Sequence, residues 1–108
     1  MSSDYKVEFQ HYDDVLPELK GFVDSSWHND CCPSLMKYIA PNTFVQIFCD
    51  YKDQANSDWA DLDPENYRRF SILLANHEED WSVALYQSNS WEDIKDYLTR
   101  FNVGGYSL

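Results

Sequence analysis

Residues 43–51 read Thr-Phe-Val-Gln-Ile-Phe-Cys-Asp-Tyr, a β-branched and aromatic run without helical period, which commits the middle of the chain to sheet. Alternation puts Val45, Ile47 and Cys49 on one side and Phe44 and Phe48 on the other, so both faces are expected to be at least partly covered. A second strand is expected over 67–75, with Phe70, Ile72 and Leu74 inward, and a third over 81–87, with Trp81, Val83 and Leu85 inward. The link between them, Asn76-His77-Glu78-Glu79-Asp80, has hairpin length and makes the pair antiparallel.

Around this meander the signals are more local. Tyr5, Val7 and Phe9 alternate with polar residues and predict a strand over 4–11. Asp13 or Asp14 can cap a helix with Pro17 in its first turn and Leu16, Leu19, Phe22 and Val23 on one side, ending near Ser25 or Ser26. Pro33 can open a short helix through Leu35, Met36 and Ile39 that Pro41 closes, or 35–40 can be extended. Ser90 reads as the N-cap of a final helix, with Glu92 and Asp93 in its first turn, Ile94, Tyr97, Leu98 and Phe101 on one stripe, and Gly104 past its end. The expected order is β-α-(α)-β-β-β-α. That is an α+β two-layer domain over 1–108, its three- to four-stranded antiparallel sheet packed by the first and C-terminal helices.

The formal charge is −11, and it is clustered: residues 50–65 carry −5 and residues 78–80 carry −3. Such a field repels nucleic acid and anionic membrane and attracts basic protein surfaces, although acidity also serves plain solubility. No apolar run exceeds four residues, against the ~20 a membrane helix needs, and the N-terminus has no secretory pattern. The odd set Cys31, Cys32 and Cys49 argues against a disulfide framework. A cytoplasmic protein is expected.

No catalytic or metal-binding pattern in the chain is complete. His28, Asp30, Cys31 and Cys32 form the one local cluster of metal-ligand types, but zinc sites need a second spaced pair, and Cys49, His11 and His77 do not supply it. A Cys nucleophile beside His28 would sit among acids that raise a thiol pKa. Asp61, Asp63 and Glu65 begin like a calcium loop, but the sixth and twelfth positions hold Asn66 and Ile72 rather than Gly and Glu. With Gly21, Gly104 and Gly105 the only glycines, no phosphate-cradling loop can form. The expectation is a protein that is not an enzyme, with no cofactor and no metal; a small metal-dependent enzyme using His28, Asp30 and Cys31 or Cys32 is the alternative of another class.

Residues 50–66 differ in kind, being a long acidic connection without sustained period around an aromatic ring. Trp59 among carboxylates suits a surface that binds a basic protein, with the ring as anchor; the competing reading has Trp59 and Leu62 tucked under the loop as pins. The expected partner-binding residues are Asp50, Asp53, Asp58, Trp59, Asp61, Asp63 and Glu65, together with Glu78, Glu79 and Asp80. In physical type this profile is similar to the anti-CRISPR and anti-restriction inhibitors of phages and plasmids and to immunity proteins against nuclease toxins. That likeness covers no motif and implies only a function: a non-catalytic acidic inhibitor whose carboxylates take the place of phosphates on a nuclease or nucleic-acid-binding complex.

Overall fold

The computed structural model describes residues 4–103 together with 106 and 107. Its centre is a five-stranded antiparallel sheet, β1 (Val23–Asp24), β2 (Ser34–Ala40), β3 (Thr43–Cys49), β4 (Phe70–Asn76) and β5 (Trp81–Ser88), ordered β1-β2-β3-β4-β5. The helices are α1 (Tyr5–Glu8), α2 (Asp58–Leu62) and α3 (Trp91–Thr99), and Asn102–Val103 and Tyr106–Ser107 pair as β6 and β7. The fold is α+β as expected, with five strands in the sheet rather than three or four.

The meander forms because its inward residues meet in register. Val45 pairs with Leu74, Ile47 with Ile72 and Cys49 with Phe70, and all six are buried. Leu35 extends this face from β2, and Ile94, Leu98 and Phe101 close it from α3 and its exit. Ser90 caps α3 by accepting from the Asp93 N–H. A β-bulge in β5 brings Tyr86 across from Ile72, where its ring stacks on Tyr97 at 4.9 Å. Of the β5 residues expected inward, Leu85 packs against the core, whereas Trp81 and Val83 stand at the exposed edge. Gly104 lies outside the described residues.

Two expectations are corrected, and one of two alternatives is chosen. Residues 5–8 form a helical turn rather than a strand: Asp4 caps it through the Lys6 N–H at 3.0 Å, and the Tyr5 N–H donates to Asp24 at 2.7 Å. Tyr5 and Phe9, four residues apart, share a helical side as readily as a strand face. The helix from Asp13 to Ser26 does not form. Both candidate caps are engaged elsewhere, Pro17 disfavours helical geometry at Leu16, and Gly21 turns the chain at φ +83°. Leu16 is nevertheless buried, and Leu19 and Phe22 pack against the core, so irregular chain covers what that helix was to cover. Residues 34–40 take the extended alternative, because a two-residue connection returns them along β3. Pro41 cannot supply the positive φ of the turns that suit hairpins, and a register shift between Tyr38 and Ala40 absorbs the mismatch.

One face of the sheet is therefore covered and the other is not. Alternation and register place Val23, Met36, Gln46, Leu73 and Ala84 in one row of the second face, with Tyr38, Phe44, Ala75 and Ser82 beside it. Among the described residues the 50–66 connection and the Cys31–Cys32 segment reach over one end of this face. If the covered face is the core, Ile72→Ala should cost roughly 2–5 kcal/mol in denaturant unfolding, whereas Val83→Ala at the edge should stay within roughly 0.5 kcal/mol.

Candidate functional site

The acidic loop is built on one buried carboxylate. Asp50 is 2% exposed; it accepts from the Ser57 hydroxyl at 2.7 Å and the Tyr51 N–H at 2.7 Å. Burial, the largest influence, pushes this carboxyl above its usual range against those donors. The same Ser57 oxygen accepts from the Ala60 N–H at 3.1 Å and so caps α2. Arg69 holds the Asp50 carbonyl through Nε at 3.0 Å and pairs with Asp14 at 2.8 Å. Asp13 braces the other side, accepting from the Lys52 and Asp53 N–H groups, each at 2.7 Å.

Several of the sequence-selected acids thus serve the loop itself. Asp50 faces inward, Asp53 caps the 3-10 turn Gln54–Asn56 through the Ala55 N–H, and Asp63 accepts from Asn66. Asp58, Asp61 and Glu65 remain exposed. Glu78, Glu79 and Asp80 are exposed too, on a turn where the Asn76 side chain accepts from the Glu78 and Glu79 N–H groups and Asp80 adopts φ +56°. The structure does not bring the two acidic clusters together. They lie beyond opposite ends of β4, whose seven residues span about 20 Å at ~3.4 Å each.

Between the two poles lies the uncovered face. At the Glu78–Asp80 end, Tyr38, Phe44 and His77 cluster, the Tyr38 and Phe44 rings 5.5 Å apart and Tyr38 and His77 5.9 Å apart. At the loop end, Trp59 meets Tyr67 edge-to-face at 5.4 Å and lines a cavity of about 190 Å³ with Phe48, Leu73 and Cys32. Trp59 is half-buried, whereas Leu62, one turn on, is 84% exposed and so pins nothing. Sequence reasoning selected the acids and Trp59 but missed Tyr38, Phe44 and Leu73. The signal was present in the alternation of Phe44 and Phe48 against Val45 and Ile47; what it lacked was a count of the layers available to cover both sides.

The cysteine segment is a different environment. Cys31 is exposed and Cys32 buried, their sulfurs 3.7 Å apart, within reach of a thiol–thiol hydrogen bond. The thiol–thiol hydrogen bond holds Cys31 below its ordinary pKa and raises Cys32, which burial raises further; burial pushes Cys49 up to about 12. His28 engages Glu8 through Nδ1 at 3.1 Å. Among the described residues no three His, Cys, Asp or Glu side chains converge as metal ligands. No protein-family model, curated protein or solved structure matches this chain.

Two outcomes follow from these environments. Partial burial opposes ionisation of Asp13, but the Asp53 and Lys52 N–H groups and the Asn56 amide outweigh it, and Arg69 holds Asp14 down; both carboxyls lie below their ordinary value. Groups depressed on folding stabilise the native state above the unfolded value and lose that contribution as pH falls through the folded one. Asp13→Ala should therefore flatten the fall of melting temperature below about pH 4. Separately, iodoacetamide should label Cys31 well before Cys32 or Cys49, read by peptide mass spectrometry; equal rates would refute the assigned environments.

Proposed function

We propose that this chain is a non-catalytic protein that binds a basic partner through the uncovered sheet face, with the acidic poles steering approach and fixing orientation. The observation that carries this reading is the face itself: an aromatic and aliphatic surface with carboxylates beyond both ends. Interfaces that last have an apolar centre for affinity and a polar rim for orientation, and aromatic rings near carboxylates suit the arginines of a basic surface. Nucleic-acid-binding effectors present basic surfaces of this kind. In this reading Asp58, Asp61, Glu65, Glu78, Glu79 and Asp80 stand where phosphates would, as an anti-CRISPR, anti-restriction or immunity protein requires. The three cysteines are free thiols, which suits action in the cytoplasm.

The test takes the partner recovered from the source cell and measures association and dissociation rates against salt. Association should slow as salt rises, because exposed charges are screened within ~10 Å at 0.1 M. Asp58→Lys with Asp61→Lys should slow association and leave the melting temperature unchanged, whereas Phe44→Ala should speed dissociation. Rates indifferent to salt and to both variants would refute the reading.

A further inference from the structure

β5 is an edge strand, since the sheet order ends on it and no strand pairs with its outer side among the described residues. Sheet edges expose unpaired N–H and C=O groups, which chains blunt with Lys, Pro, other charges or a bulge, and β5 bulges only after Ala84. Trp81–Ser88 contains no charged residue and no proline, in a chain whose net charge is −11. Its first four residues are exposed, Trp81 by 39% and Val83 by 48%. Charge stands at its two ends with opposite sign. Glu78, Glu79 and Asp80 precede it, and Arg68 flanks its second half, where Asn66 and Arg68 bound an open groove of about 550 Å³ along Ala84, Leu85, Tyr86 and Gln87. Arg68 donates to the Tyr67 carbonyl and forms no ion pair among the described residues.

We propose that β5 pairs antiparallel with β5 of a second copy about a two-fold axis at Val83. A two-fold contact needs a self-complementary patch, and this one is neutral at its middle, with the acidic turn at one end and Arg68 at the other, where Glu92 is paired with Lys95 and Asp93 accepts from Ser88. The register sets Val83 on Val83 and Ser82 across from Ala84. The ladder ends at the bulge after Ala84 and at the turn over 77–80, and it brings that acidic turn of each copy toward the second half of the other's β5, on the side of Arg68. Over Ser82–Ala84 residues of like parity meet, so each face of the sheet continues across the junction as far as the bulge that follows Ala84. A second copy is favoured over a foreign strand because it brings the acidic turn and the arginine in the order the edge requires. The proposal stands on β5 alone and holds or fails independently of the partner reading.

Sedimentation equilibrium decides it. The mass should rise from 12.8 kDa in dilute solution toward twice that value as concentration increases. Val83→Lys sets two ammonium groups against each other on the axis, and Arg68→Glu sets acid against acid at both ends; each variant should keep the parent melting temperature of the dilute monomer and sediment at 12.8 kDa throughout. Combining Arg68→Glu with Glu79→Arg should restore the doubled mass. A parent chain that stays at 12.8 kDa at every concentration overturns the proposal, as does a pair that survives Val83→Lys and Arg68→Glu. Protection of the β5 amides from hydrogen exchange only on adding another protein would also overturn it, in favour of a foreign strand.

Discussion

A five-stranded sheet has two faces to hide, and among the described residues one nine-residue helix and one irregular segment cover the first, while only connecting segments at one end reach the second. Ile94 and Leu98 can serve a single face, and they are laid on the side where Val45, Ile47, Ile72 and Leu74 already agree in register. The other side is left with Tyr38, Phe44 and Leu73. Burial of apolar area stabilises by about 25 cal/mol per Å², so the uncovered face is an unused source of binding energy of the same kind that holds the core. Selection for solubility alone would favour polar residues at those positions, since a contiguous apolar patch invites association. Excess negative charge keeps such a chain dispersed until a surface of opposite sign approaches.

The acidity is not one thing. Asp13, Asp14, Asp50, Asp53 and Asp63 are consumed by N–H groups, hydroxyls and Arg69 within the loop and its brace. They order a connection that would otherwise be too long and too polar to hold a shape. The exposed acids ride on this frame and on the Asn76-stabilised turn, so their positions are set by the carboxylates of the frame. A charge count from sequence weights both groups equally, and only the hydrogen-bond partners separate them.

Legibility followed the range of the forces concerned. The last helix was readable because its cap and its apolar stripe are local, and the central strands because the alternation of Val45, Ile47, Ile72 and Leu74 is repeated across partners. Tyr5, Val7 and Phe9 misled because three residues at alternate positions also satisfy one helical turn when Asp4 caps it and Asp24 takes the Tyr5 N–H. Asp13 and Asp14 misled for the opposite reason: as helix caps they are locally adequate, but Lys52, Asp53 and Arg69, distant in sequence, compete for the same oxygens and win. The short helix over 58–62 rests on Ser57 and on Asp50 beneath it, which no local period announces. The exposed face was invisible for a simpler reason. Amphipathic alternation tells which residues share a side, never whether another layer arrives to cover it.

The proposed edge pairing and the proposed partner face would also constrain each other. A two-fold axis perpendicular to the sheet keeps both α3 layers on one side and both uncovered faces on the other, so pairing would join two half-platforms into one broad surface. At the junction each acidic turn would lie near an Arg68, which offsets part of the charge there and leaves the loop poles with Asp58 and Asp61 as the outermost acids. A partner engaging both halves would bind the second as an intramolecular step, at an effective concentration fixed by the rigid sheet rather than by a linker. Weak contacts at each face would then suffice for a long-lived complex, which fits a face whose rings are half-buried rather than deeply pocketed.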